Sequence, residues 1–382
     1  MNSSAQPIRR IASNLLWQPG GFLRHPLVSI DAGGRILGVE QCAEPDRLAG
    51  VEFYGGVLLP GLVNAHCHLE LAHLAGMIPA GCGFRGFIRA LRAHRHAVSG
   101  EERHRAADRI DAAMRSRGIR AVGDTSNGMT SFATKRQSAL RYHTFAELFG
   151  LRSSSTEHLA PLLAEPDTSP TPHSLYAVQE APFAALAREG DAPLSLHYLE
   201  TPDEKELFRG KGGLWEWYRS EGLSCDFLHY GSPTRRLVEQ TPRDRSLLLV
   251  HATCTTQEDI DQLREHFTAP LYWCLCPTSN RHISGLRPPV GLLRRNGALI
   301  CLGTDSPASN PAMSLFEEMR QLEEVPLGEL IAWATLHGAR ALGMEQELGS
   351  VEPGKRPGLC LLSGIDYASM RLGPSARLRP LL

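Results

Sequence analysis

Two histidines one residue apart, His66 and His68, close the apolar run Val57-Leu58-Leu59-Pro60-Gly61-Leu62-Val63-Asn64-Ala65. Residues two apart on a strand point to the same face, so both imidazoles project together from the end of a buried strand. Two neutral imidazoles side by side suit a divalent transition metal; a satisfied buried pair is the alternative reading. Three further side chains are placed alike. His197 ends Leu194-Ser195-Leu196, His251 ends Leu247-Leu248-Leu249-Val250, and Asp305 ends Leu299-Ile300-Cys301-Leu302-Gly303-Thr304. Four apolar strands that each finish on a metal-capable or acid–base group are hard to explain by core packing.

The elements around these residues alternate strand, loop and helix from Pro60 onward. Strands are expected at 57–66, 119–125, 143–150, 170–176, 194–200, 247–253, 271–277 and 299–305. Helices are expected at 85–99, 101–117, 179–190, 257–266, 314–322 and 327–342. Eight strands each followed by helix is the count of a (β/α)8 barrel. The fourth is the least strand-like, because Glu165 to His173 is rich in proline. Residues 8–59 read as short β segments, with a hairpin at Asp31-Ala32-Gly33-Gly34. A last short strand, Leu359-Cys360-Leu361-Leu362, follows a turn-rich stretch. The expected organisation is residues 1–59 and 347–382 as two parts of a small β-sandwich domain, with residues 60–346 as an α/β (β/α)8 TIM-like barrel. Catalytic groups of such barrels sit at the C-terminal ends of strands. His66, His68, Glu147, His173, His197, Glu200, His251, Asn280 and Asp305 all fall at or just beyond those ends.

Composition narrows the function. The chain has 382 residues, 42% of them hydrophobic, and a net charge of -1 with both signs dispersed. That charge balance predicts neither nucleic-acid binding nor adhesion to an anionic membrane, and no apolar stretch approaches the ~20 residues of a membrane span. The arginines between Arg85 and Arg120 read as a solvated helix face. The first 18 residues have no long apolar core, so no secretory signal is expected. Nine cysteines without framework spacing read as reduced packing residues in a cytoplasmic protein. Cys274-Leu275-Cys276 lacks a second pair and is set aside as a metal site.

The stretches PGLVNAHCHLEL, TPHSLYAVQ, LHYLETPDE, LLVHATC, CPTSNRHISG and GTDSPASNPAMSLFEEMR resemble the amidohydrolase superfamily over nearly the whole chain. Within it they resemble the metal-dependent aminohydrolases that deaminate purines and related cyclic amidines. HLEL, SNR and DSPASN are most similar to 6-amino-6-deoxyfutalosine deaminases of menaquinone biosynthesis. The resemblance implies one divalent metal ion, zinc with iron as the alternative, held by His66, His68, His197 and Asp305. Three imidazoles and a carboxylate leave an open position, as a catalytic zinc site requires. Lys135, Lys205, Lys211 and Lys355 end no expected barrel strand, so the carbamylated lysine of two-metal members has no counterpart.

The same resemblance implies the catalytic roles. Glu200 would carry a proton from the attacking water to a ring nitrogen. Asp305 would share the water proton, while His251 orients the water and stabilises the new oxygen on the tetrahedral carbon. His173, Glu70 and Glu147 are the expected substrate contacts, and Arg281 or Arg85 would grip a substrate carboxylate in a bidentate pair. The partner is a small-molecule substrate, and relatives are commonly homodimers. Gly358 stands where relatives carry Asp, and the short tail after Leu362 is expected to leave the β domain short of strands. Other amidohydrolase reactions remain open: adenosine, S-adenosylhomocysteine, guanine or pterin deamination, chlorohydrolysis, or cyclic amide hydrolysis. A non-catalytic scaffold is the alternative from another class.

Overall fold

A computed structural model of the chain describes residues 8–44, 47–152 and 155–382. The leaderless reading of the first residues falls partly on 1–7, outside the described residues. The chain divides into two compact units, one of residues 1–64, 112–121 and 314–382, the other of 65–111 and 122–313.

The first unit is built on one seven-stranded sheet. Strands β1 (Arg9–Gln18), β2 (Gly21–Arg24), β3 (Pro26–Ile30), β4 (Ile36–Gln41) and β5 (Val51–Leu59) come from the N-terminal segment. The C-terminal segment supplies Cys360–Ser363 and Arg377–Pro380, and the order runs from Arg377–Pro380 through Cys360–Ser363 to β5, β1, β3 and β4, with β2 on β1. A single sheet of this kind is not the pair of facing sheets that a sandwich requires. The tail after Leu362, expected to be short of strands, adds one. Ile11, Leu16, Val28, Ile30, Ile36 and Leu58 from the N-terminal strands bury against Val351, Leu359 and Leu361, so segments some 300 residues apart in sequence share one core. Gly358 has φ +70, and a Cβ there would run into the Arg120 side chain, so a side chain at this position would be strained.

The other eight strands are parallel and fall in two sheets of four: β6 (Leu62–Cys67), β7 (Ile119–Ser126), β8 (Arg141–Leu148) and β9 (Thr168–Pro172), then β10 (Leu194–Tyr198), β11 (Leu247–His251), β12 (Leu271–Leu275) and β13 (Leu299–Leu302). Between residues 57 and 305 these are the eight strands expected, with two physical differences. The run 57–66 is two strands, because Pro60 has no N–H to give a ladder and the chain passes from one sheet to another there. The expected strands also stop early, because the chain bends out of the sheet where its chemical groups begin. Leu199, His251, Ala252 and Asp305 all have φ between +48 and +76, a region few non-glycine residues enter. The proline-rich fourth strand forms, but Pro170 and Pro172 supply no donors, and its link to β10 is the isolated bridge Ser174–His197. A second bridge, Cys67–Asp305, ties the end of β6 to the turn after β13.

Candidate metal centre

His66, His68, His197 and Asp305 converge although up to 239 residues separate them in sequence, each delivered by the C-terminal end of its strand. Nε2 of His68 lies 3.2 Å from Nε2 of His197. Oδ1 of Asp305 lies 3.7 Å from Nε2 of both His66 and His68. Four ligands about 2.0–2.1 Å from a tetrahedral ion are about 3.3 Å apart, so the spacing fits a small divalent cation.

The chemistry of the donors agrees. Neither ring nitrogen of buried His66 has a hydrogen-bond partner, a costly state that a bound ion would relieve at one of the two. Nδ1 of His197 donates to the His173 carbonyl at 3.0 Å, which leaves Nε2 as a lone pair turned toward His68. Burial lowers the pKa of His66 and His197, the latter well below the ordinary value, so both imidazoles are neutral. Burial alone would raise Asp305, but the imidazoles of His66, His251 and His68 outweigh it and hold the carboxyl well below the usual range. Ser279 and Ser309 donate to Oδ2 of Asp305 at 2.5 and 2.9 Å, so Oδ1 is the oxygen presented to the histidines.

Two further groups sit over this quartet. His251 packs at 5.2 Å from the His197 ring, Asn280 Nδ2 lies 2.9 Å from its Nδ1, and burial pushes its pKa down to about 3. Glu200 Oε1 is 3.8 Å from Nε2 of His251. Burial, reinforced by Asp305 and Glu204, pushes the Glu200 carboxyl well above the usual range.

Glu147 and His173 form a tight pair, Oε1 to Nδ1 2.6 Å. Burial would raise Glu147, but His173, then His68 and Asn127, bring it down to about 2, so His173 donates to a carboxylate. Asn127 donates to Glu147 Oε2 at 2.7 Å and accepts from Arg95, which also reaches Glu70 at 2.8 Å. The backbone N–H groups of Asn127 and Gly128 donate to the other oxygen of Glu70. Lys135 pairs with buried Asp124, whose Oδ1 accepts the Leu69 N–H directly after His68 at 2.7 Å. That lysine secures the first histidine pair from behind.

A cavity of about 560 Å³ opens from the quartet. His68, His173, His197, Glu147, Glu200, His251 and Asp305 form its inner end, and its outer wall is apolar and aromatic, with Phe84, Phe87, Phe149, Tyr176 and Trp217. Glu70 is not part of that wall; Arg95, which it grips, is. Arg85 and Arg281 are both exposed and line no part of it, whereas Arg92, Arg95 and Arg152 do. The reason is helical phase. On the helix Gly83–His94 and its exit, Phe84, Phe87, Ile88, Leu91, Arg92 and Arg95 recur at the spacing of one face, and Arg85 lies off it. The solvated-face reading of these arginines is therefore corrected for Arg92 and Arg95, and the apolar stripe they share was the signal. Asp124 ends the apolar run Ala121-Val122-Gly123, the same cue that marked Asp305.

Residues 57–371 match the family model described as the amidohydrolase family, so the chain belongs to that family and is a hydrolase of carbon–nitrogen bonds. Among solved structures it is similar to Helicobacter pylori aminofutalosine deaminase in complex with methylthio-coformycin, at TM-score 0.78 and 25% identity over 94% of this chain and 93% of that one. A Xanthomonas campestris adenosine deaminase with bound zinc shares the fold, at TM-score 0.73 and 23% identity over 94% and 85%. Among curated relatives, a 5-methylthioadenosine/S-adenosylhomocysteine deaminase of Symbiobacterium thermophilum is 25% identical, over 88% of this chain and 80% of its own length. No helix among the described residues is long and apolar enough to cross a membrane.

Proposed function

We propose that this protein is a one-metal deaminase of a 6-aminopurine nucleoside, with 6-amino-6-deoxyfutalosine of menaquinone biosynthesis as its substrate. The observation that carries the deaminase reading is the pairing of the neutral-histidine and carboxylate quartet with a buried glutamate, Glu200, facing the same cavity. The three imidazoles and one carboxylate favour zinc, with iron as the alternative. A divalent ion, when bound, supplies the Lewis acidity that brings the pKa of water from ~15.7 towards ~7.

The side chains do the rest. Glu200 takes the proton of the attacking water and delivers it to the ring nitrogen next to the amino-bearing carbon. His251 orients that water, and the oxygen added to the tetrahedral carbon finds stabilisation from the same imidazole. Asp305, held by two serines at Oδ2, shares the water proton. A second proton transfer to the amino group releases ammonia and leaves a carbonyl. His173, fixed by Glu147, turns its remaining nitrogen to the purine.

The outer wall supports the finer substrate. Its aromatic side chains suit an aryl 5′-substituent, and Arg92 and Arg152 at the mouth suit a carboxylate. A methylthio group would fit the same apolar wall, and relatives named for methylthioadenosine favour that second reading. Ammonia release by the zinc-loaded protein tests both, on 6-amino-6-deoxyfutalosine, adenosine, S-adenosylhomocysteine, 5′-methylthioadenosine and guanine. Preference for the first supports the proposal; preference for methylthioadenosine replaces the substrate and keeps the mechanism; no ammonia from any, with metal bound, rejects the deaminase.

On the same reading, β6 to β13 are the eight staves of one barrel, supported by the bridges at Ser174–His197 and Cys67–Asp305. Residues 60–346 would be that domain, with 1–59 and 347–382 making the small β domain. Nine free cysteines support a reducing, cytoplasmic setting.

A further inference from the structure

In an extended strand, residues three apart face opposite sides, so Glu200 would point away from the site that His197 enters. It does not, because Leu199 between them adopts φ +48, a left-handed conformation disfavoured for a residue with a branched side chain. Something must hold that bend.

Two side chains do so from opposite directions. Thr201 and Glu204 form a capping box at the start of the helix Pro202–Leu207, an arrangement that occupies the Thr201 N–H. Glu204 goes further. Its Oε1 accepts from the N–H of Glu200 at 2.7 Å as well as from Thr201 at 3.3 Å, and its Oε2 accepts from the N–H of Leu199 at 3.0 Å. The residue is wholly buried. From the other side, the Thr253 hydroxyl lies 2.5 Å from the carbonyl oxygen of Glu200 and 3.1 Å from that of Leu199. Thr253 stands two residues beyond His251, and the Cys254 N–H donates to the Leu199 carbonyl at 2.9 Å. The peptide units on both sides of Glu200 are thus fixed, and the clamp joins the loop after β10 to the loop after β11.

We propose that Glu204 and Thr253 are positioning residues: they hold the left-handed bend at Leu199 and so keep the Glu200 carboxyl over the metal position. The proposal rests on the reading of Glu200 as the proton carrier. Neither residue touches substrate; both act through the backbone of Glu200. A helix cap alone would not need Glu204 to reach Leu199 and Glu200, or a hydroxyl on the neighbouring loop.

The test compares zinc-loaded wild type with Thr253→Val, Thr253→Ser and Glu204→Gln. Crystal structures read the Leu199 φ and the position of the Glu200 carboxyl, and kinetics on the nucleoside panel above read kcat and KM separately. Thr253→Val and Glu204→Gln are expected to lose on the order of 10²-fold in kcat, the cost of a misplacement of about 1 Å. KM should change by less than about threefold, with zinc content full. Thr253→Ser, which keeps the hydroxyl, should restore most of the lost rate, as a role in packing alone would not. In the crystals of the two damaged variants, Leu199 should leave the left-handed region and the Glu200 carboxyl should move. Crystals in which Leu199 and Glu200 stay in place overturn the proposal, whatever the rates. So does an unchanged kcat in both variants. Should Glu204→Gln fail to fold, Thr253→Val, nearly isosteric, decides alone. Wild type inactive on the whole panel rejects the deaminase reading, and the crystals still decide the clamp.

Discussion

The two oxygens of Asp305 face different partners and Glu200 stands apart from the quartet, so single substitutions should separate metal binding from proton transfer. Asp305 gives one oxygen to two serines and the other to the histidines. Asp305→Ala should therefore bind substoichiometric zinc and lose activity together with metal, read by metal analysis of the dialysed protein. Glu200 lies over the cluster without belonging to it. Glu200→Gln should retain full zinc and lose about 10²–10⁴-fold in kcat, the usual contribution of a general acid–base group. Zinc loss in that variant would recast Glu200 as a ligand. The arginines make a third, separable case. Arg92, stacked on Trp217 at 4.7 Å, and Arg152 should govern affinity for a carboxylate far from the reacting carbon. Arg92→Met and Arg152→Met should each raise KM for 6-amino-6-deoxyfutalosine about tenfold, within the range of a charge-assisted pair, and leave that for 5′-methylthioadenosine unaltered. Equal effects on both substrates would remove the carboxylate from the argument.

At the scale of elements, the sequence told more about where strands end than about what their ends do. An apolar run that stops on His or Asp is visible in one dimension, and it located His66, His68, His197, His251 and Asp305. The bend that turns Glu200 back toward His197 is not visible, because Leu199 is an apolar residue that continues the run. Arg95 read as part of a solvated face for a related reason: its pairing with Glu70 depends on the path between β6 and β7, which composition does not encode. The first unit offers a test of its own pairing. Across the parallel pair of β1 and β5, Arg9 meets Glu52 through two hydrogen bonds of 2.7 and 2.8 Å, and Tyr54 adds a third. The bond from Arg9, then that from Tyr54, lowers Glu52 to about 2. A depressed carboxylate contributes stability above its unfolded pKa, near 4.5, and loses it as pH falls toward the folded value. The pair is about 40% exposed, so its worth is at most about 1 kcal/mol. Thermal melts of Arg9→Ala should lie slightly below wild type at about pH 6–7 and converge with it between about pH 4.5 and about pH 2. A gap that stays constant over that range would show that the lost term is packing.

At the scale of the whole molecule, the metal centre links stability to composition of the solvent. The four ligands come from β6, β10 and the turn after β13, and one ion would engage donors from all three. The Nε2 atoms of His68 and His197 face each other at 3.2 Å, a hydrogen bond when His68 carries its proton on Nε2, and neither ring nitrogen of buried His66 has a hydrogen-bond partner. Ligands gathered from three strand ends bind an ion only in the folded state, so that binding adds to folding free energy. Binding only the folded state stabilises it by about 4 kcal/mol when free metal is 1,000-fold above Kd. At about 2 °C per kcal/mol for a cooperative unit of a few hundred residues, that is about 8 °C in Tm. Chelation with 1,10-phenanthroline should therefore lower the melting temperature by roughly that amount, and added zinc should restore it. His197→Ala should melt near the chelated value and respond to neither treatment, because the ligand that joins the two halves of the site is gone. Glu200→Gln should respond as fully as wild type. If chelation leaves the wild-type melt unmoved while metal analysis confirms removal, the quartet is preorganised without its ion, and the histidines must then find partners in ordered water.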